Sequence, residues 1–272
     1  METATQTLHR LTSYQPGRDW DEAIDDPRIV QDLEANDMSR LPWFIKQYAE
    51  RAAVTPLPRE LPVTTEPAVA VLAGTAEVKP SLLDLPNLSR LLYLSAGVVR
   101  IMERDFGIHP FRAAGSAGGR FPLELYVAVP SGGALPPGVH WYDPLEHVLV
   151  QVGPAWDCGR PVRGPDAAGP PVESVIAAFV AIAAADVGRL SDAEYRDAQL
   201  AAGLAEGRLH LAAYALGASA SGMTFDDSQV PALLGEHIDG LLFTCVGVPR
   251  YPNAPAGPPG TPTRVRRVTP AS

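Results

Sequence analysis

Cysteine is nearly absent from this chain: 272 residues hold only Cys158 and Cys245. Two thiols make no disulfide framework, and without a third cysteine or a close histidine they make no zinc site. Positive charge is also short, with 22 Lys and Arg against 31 Asp and Glu and a net charge of −9. General nucleic-acid binding needs a basic face to displace counterions, so that class is set aside. Long apolar runs are missing too. The longest, Val175 to Ala185, is too short to span a bilayer, and Met1 to Arg10 is polar where a signal peptide is apolar. The expectation is a cytoplasmic protein with no membrane and no nucleic-acid partner. The six histidines show no metal-ligand spacing, and no Gly-x-Ser-x-Gly elbow, Walker loop or dinucleotide glycine motif occurs.

What is present is an ordinary globular composition on a chain long enough to bury a substantial core. Residues 1–68 read as an irregular, Pro-punctuated extension packed on the core, with short helices at Pro27–Asn36 and Pro42–Arg51. Residues 69–252 read as the main domain, and 253–272 as a Pro-rich basic tail. Leu85, Leu88, Leu91, Leu92, Leu94 and Val98 fall at helical spacing, predicting a helix across Leu82–Arg104 started by Asp84 or Pro86. Strands are predicted at Leu123–Val129, Gly138–Tyr142 and His147–Val152, and Gly153–Pro171 reads as a surface connection. The run Val175–Ala184 suits a strand or a buried helix equally. Ser191 caps a long helix, with Asp192 and Glu194 in its first turn, that stops at Gly217. A short helix near Val230–Gly235 and a strand over Gly240–Val246 follow.

The most informative stretch runs from Arg112 to Gly153. A small-residue loop, Ala113-Ala114-Gly115-Ser116-Ala117-Gly118-Gly119, leads into an alternating strand, and then GVHWYDPLEHVLVQVG follows. Glycines let a backbone come close to a flat or anionic ligand, although such a loop alone is more often a plain turn. This segment resembles the nitroreductase-like flavoproteins of the SagB/ThcOx type, the azoline oxidases of modified-peptide biosynthesis. Further similarities lie in order along the chain: LHRLTSY at Leu8–Tyr14, LLYLSAGVVR at Leu91–Arg100, LAAYALGASASGMTFDD at Leu211–Asp227 and LLFTCVGVP at Leu241–Pro249.

The resemblance implies an α+β, nitroreductase-like fold: a mixed or antiparallel central sheet flanked by long helices, with Val175–Ala184 a strand. It implies a homodimer that clasps FMN at its interface, and hydride transfer at flavin N5 on a small-molecule, peptide or natural-product substrate. By family position the Gly115–Gly119 loop, with Ser116, Gly118 and Gly119, would line one ring edge, and Arg112 beside it is a cation available to the phosphate. A turn at Ala218–Met223, with Ser221 and Gly222, would approach the other side of the ring. Tyr195 matches a catalytic tyrosine. Each has a plainer reading: Ser116 as a turn hydroxyl, Arg112 paired with a carboxylate, and the tail arginines as solvated charge.

Departures from the family pattern are equally specific. The Arg-Arg-Ser-x-Arg run that clamps the phosphate is replaced by VLAGTAEVKPSLLDL, in which Lys79 is the only cation. The Lys-Tyr pair has become Glu194-Tyr195, both helix arginines are alanine, and no lysine follows Lys79. Glu194 reads as a replacement base or as a helix-start carboxylate. Arg264 and Arg266, with Arg267, are the candidate replacements for the phosphate clamp. Two readings therefore stand: an FMN-dependent oxidoreductase, or a degenerate nitroreductase-fold protein serving as a binding or scaffold subunit.

Overall fold

The computed structural model describes residues 2–13, 53–104, 107–116, 119, 121–154, 175–190, 192–235 and 237–249. Its centre is a seven-stranded sheet in which every recorded pairing is antiparallel. Strands β1 (Val54–Pro56), β4 (Glu124–Val129), β5 (Gly138–Asp143), β6 (Val148–Gly153), β7 (Val175–Ala185), β8 (Ser219–Met223) and β9 (Asp239–Pro249) lie in the order β1-β6-β5-β4-β7-β9-β8. A separate two-stranded ribbon pairs β2 (Val98–Arg104) with β3 (Gly107–Arg112). The helices are α1 (Ala4–Leu11), α2 (Ala68–Leu72), α3 (Leu85–Ala96), α4 (Asp192–Tyr214) and α5 (Val230–Leu234).

Both faces of the sheet are buried, which explains why its strands carry so few polar residues. Leu125, Val127 and Val129 of β4 pack with Leu88, Leu91 and Leu92 of α3 and with Leu209 and Ala213 of α4. The intervening Tyr126 and Ala128 join Trp141, Ile182 and Phe243 on the opposite face, under Val230 and Leu234 of α5. The run Val175–Ala185 is a strand because β4 and β9 pair with it on either side. Truncating a fully buried leucine such as Leu91 to alanine costs roughly 2–5 kcal/mol.

Helix α3 starts where expected, with the Asp84 side chain accepting from the Asn87 amide at 3.1 Å. It does not run to Arg104. A Cβ on Gly97 would lie 2.7 Å from Tyr93, so the chain turns there, and β-branched Val98 and Val99 start the ribbon. Helix α4 buries a face of small residues, including Ala198, Ala201, Ala202 and Ala205, which brings it close to the sheet. It is followed by Gly217 at φ 66°. The Ala218–Met223 segment, expected as a turn, is instead edge strand β8, because β9 supplies its pairing partner. The predicted helices at 27–36 and 42–51 lie outside the described residues. Among the described residues, no helix is long and apolar enough to cross a membrane.

Candidate functional site

The loop after β3 folds back on itself through its own hydrogen bonds. Ser116 Oγ accepts from the Phe121 amide at 3.0 Å, and the Ser116 carbonyl accepts from the Gly119 amide at 3.1 Å. Gly119 sits at φ 68° and Phe121 at φ 50°. A left-handed phenylalanine is uncommon, and one before proline more so, because proline favours extended backbone ahead of it. Phe121 is buried and meets Phe111 edge-on, with centroids 6.3 Å apart. Strain of this kind collects at ligand-binding turns. Sequence reading missed Phe121, since a Phe-Pro pair gives no sign of left-handed backbone.

This loop forms one wall of a cavity. Arg112, Ala114, Gly115, Ser116, Phe121 and Leu123 line it from the loop side, with Ala96 of α3 and Ala201 of α4 opposite. Its empty space is about 220 Å³ including the open mouth. Gly115 is the informative position. Its φ is not positive, and a Cβ there would find nothing nearer than Leu204 Cδ1 at 4.0 Å. Among the described residues, nothing in the chain's own packing requires glycine at 115.

Arg112 is buried, and its Nη1 donates to the Leu123 carbonyl at 2.5 Å. One step along, Glu124 is also buried and accepts from the indole nitrogen of Trp141 at 2.8 Å. Tyr195 lies in the first turn of α4, half-buried, its hydroxyl accepting from Gln199 Nε2 at 3.0 Å. It packs in the cluster that holds Ala114 and Leu123, beside the base of the loop, and is not among the residues lining the cavity.

Ser221 and Gly222 lie elsewhere. A Cβ on Gly222 would stand 3.0 Å from Glu206 Oε1, whereas Gly115 looks toward Leu204. Residues two apart on a helix point in nearly opposite directions, so β8 and the loop flank different sides of α4. Behind Gly222, Glu206 Oε1 accepts from Thr244 Oγ1 at 3.0 Å, and His210 Nε2 stands 3.5 Å away, at the limit of a hydrogen bond. These groups, His210 first, hold the Glu206 carboxyl below the usual carboxylate range against the opposing effect of burial. The structure thus gathers Arg112, Ser116 and Gly119 in one loop, keeps Tyr195 next to it, and sets Ser221 and Gly222 apart. Gly118, Arg264 and Arg266 lie outside the described residues.

Tested against FMN, the ring side fits: an uncrowded glycine, a serine and apolar walls face one slot. The phosphate end is less provided for, since, among the described residues, the one arginine lining the cavity is bonded to a carbonyl of its own chain. Among the described residues, no group of three or more His, Cys, Asp or Glu side chains gathers as a metal would require.

Helix α4 also carries an exposed stripe. Leu200 and Leu204 are 60% and 53% exposed, and Gly203 and Gly207 between and beyond them are open, with nothing within 4 Å of a would-be Cβ. Glycine inside an exposed helix costs about 1 kcal/mol relative to alanine. Paired with bare leucines, it makes a surface on which another helix can lie close. Leu204 belongs both to this stripe and to the approach to Gly115.

No known family's sequence profile matches the chain, and no curated protein does. Solved structures do. A protein of Ralstonia eutropha JMP134 designated a nitroreductase superposes at TM-score 0.57 and 22% identity, over 76% of this chain and 93% of its own. One from Anabaena variabilis ATCC 29413, with the same designation, superposes at TM-score 0.68 and 22% identity over 99% of this chain. This chain spans 52% of that protein's length. The E. coli microcin synthetase McbBCD complex, with truncated pro-MccB17 bound, aligns at TM-score 0.49 and 18% identity, too loosely to argue from. The antiparallel sheet, the two core helices and these superpositions together establish that the chain has the nitroreductase fold.

Proposed function

We propose that this chain is an FMN-dependent oxidoreductase of the SagB type that works as a homodimer on a peptide or natural-product intermediate. The observation that carries the reading is Gly115, an uncrowded glycine in a strained loop, facing Leu204 on an otherwise bare helix stripe. A second copy laid on that stripe would extend the wall of a cavity that is too small by itself to hold the ring. Bound FMN supplies hydride acceptance and donation at its ring; the chain's part is to hold the ring flat and exclude water.

In this reading Ser116 and the Gly118–Gly119 turn border the ring, and Tyr195 braces or serves the substrate side. Arg264 and Arg266 of the tail meet the phosphate, because a buried dianion needs cations. The cytoplasm is the proposed compartment. The bond from Arg112 to Leu123 favours the second reading, a binding or scaffold subunit without redox chemistry, since it engages the arginine that lines the slot among the described residues. Reconstitution separates the two. Purified protein incubated with FMN and desalted should stay yellow and release FMN on denaturation. Colourless protein with an intact fold would leave the scaffold reading.

A further inference from the structure

Helix α1 buries none of its own residues. Its start is well made: the Thr3 hydroxyl accepts from the Gln6 amide at 3.2 Å, and Gln6 Oε1 accepts from the Thr3 amide at 2.9 Å. Ala4, Leu8 and Leu11 recur at i, i+4 and i+7 and form one apolar stripe, yet Leu8 is 51% and Leu11 40% exposed. Isolated helices shorter than about 12–15 residues are marginal in water, and α1 has eight. Its apolar stripe therefore calls for a partner.

The helix is pinned at its far end. Thr12 is buried, and its carbonyl accepts from Arg196 Nη1 at 3.5 Å. Arg196 stands one turn before Leu200 on α4, so the two apolar stripes adjoin on one side of the molecule. Charge sits at the borders of this surface, on exposed Arg196 and Arg208, while Arg10 is neutralised by Glu2 at 3.1 Å. An apolar centre with a charged rim is the layout of a protein interface.

Size decides how far that interface reaches. The α4 stripe from Leu200 to Gly207 has a footprint on the order of 100 Å², for a rise of about 1.5 Å per residue and a width of about 10 Å. A stable interface needs roughly 800 Å² from each partner, so the proposed homodimer must extend past this stripe. Helix α1 adjoins it and adds a footprint of similar size. The two surfaces also fit each other. Leu8 and Leu11 form an i, i+3 ridge, and Leu200 and Leu204 form an i, i+4 ridge beside the open backbone of Gly203 and Gly207. A three-spaced ridge set into a four-spaced groove is a common helix pairing. The chain does not make this contact with itself, since both pairs of leucines are bare in it. A membrane is the poorer occupant, because surface-lying helices are rich in Lys and Arg and α1 offers Thr5, Gln6 and a neutralised Arg10.

We infer that α1 is an interface arm, which packs on Leu200 and Leu204 of a second copy of this chain; this rests on the homodimer reading and names the element that fills its stripe. Two-fold symmetry makes the exchange reciprocal, so each copy gives one arm and receives one. Leu204 is also the nearest neighbour of a Cβ placed on Gly115, so the received arm lies beside the Gly115 wall of the cavity.

Surface cysteines test the arm in a Cys158→Ser background, Cys245 being buried. Leu8→Cys chains are co-expressed with Leu200→Cys, Leu204→Cys or Gly207→Cys chains that carry a different C-terminal tag, then purified and oxidised. A disulfide between the two tagged kinds is a contact between copies. Expected is a cross-link from Leu8→Cys to at least one of the α4 cysteines, well above that to Val63→Cys, an exposed residue outside the stripe. Leu8→Glu with Leu11→Glu should raise the dimer dissociation constant by about tenfold or more in sedimentation, since one buried leucine contributes at least that factor. A dimeric parent that gives no cross-link above the Val63→Cys level overturns the arm and leaves the homodimer standing. So does a double variant that dissociates as the parent does. A parent that is monomeric at every concentration overturns both.

Discussion

Arg112 and Leu123 close the candidate loop like a bracket, the guanidinium of the first donating to the carbonyl of the second at 2.5 Å. Ala114, Gly115, Ser116 and Phe121, which line the cavity, lie between them, so this bond sets the loop's span. A buried hydrogen bond from a charged donor contributes about 1.5–3 kcal/mol. Arg112→Ala should therefore destabilise the protein by at least that amount without any flavin, read as a lower urea midpoint. If stability is unchanged and only FMN affinity falls, Arg112 is a phosphate ligand and not a brace.

The exposed stripe on α4 gives a second test. Leu204→Glu or Gly207→Trp should break the proposed homodimer, because charge or bulk replaces the flat leucine–glycine surface. An obligate interface buries on the order of 2,000 Å² or more, so a central charge is poorly tolerated. Light scattering should show dimer for the parent chain and monomer for both variants. A parent chain that is monomeric at every concentration contradicts the interface.

How the sequence encodes this architecture is uneven, for physical reasons. Strands β4, β5, β6 and β9 and the two core helices are readable because their apolar patterns are intact and their caps are conventional, as at Asp84 and Gly217, whereas β1 lies in a stretch that reads as irregular. The β2–β3 ribbon is hidden because its apolar residues continue the helical spacing of Leu85–Leu94, with only Gly97 to mark the break. Strand β8, SASGM, has no strand propensity of its own and forms because β9 offers it a partner. In the candidate site, the loop is visible as a run of small residues, but the left-handed Phe121 and the bracket from Arg112 appear only in three dimensions.

Gly217 tests the helix stop. Its φ is 66°, and a Cβ there would lie 2.7 Å from Pro80 Cα. Gly217→Ala should cost roughly 1–3 kcal/mol in chemical denaturation, from left-handed backbone and steric overlap together. Gly133→Ala, where nothing lies within 4 Å and φ is not positive, should be close to neutral. Equal effects would mean that the turn relaxes freely around the new methyl group.

Global stability should fall on mild acidification. His140 is buried, bonded through Nε2 to the Pro136 carbonyl at 3.1 Å, and desolvation holds it below the usual histidine range. The unfolded chain therefore takes up its proton first, near roughly pH 6.5, so stability is complete above that pH and declines as pH drops toward the lowered folded value. His140→Gln should flatten this part of the urea-midpoint profile between pH 7 and 5. A profile as steep as the parent's would assign the loss to other groups.

The central claim is that two copies of this chain enclose FMN between the Ser116 loop and the α4 stripe. The direct measurement is the flavin retained after incubation with FMN and desalting, on the parent chain and on Leu204→Glu in parallel. Expected is a yellow dimer holding FMN equimolar with chain, and a folded, colourless monomer from the variant. A parent dimer that retains no FMN, or a monomeric variant that binds it as tightly as the parent, contradicts the account.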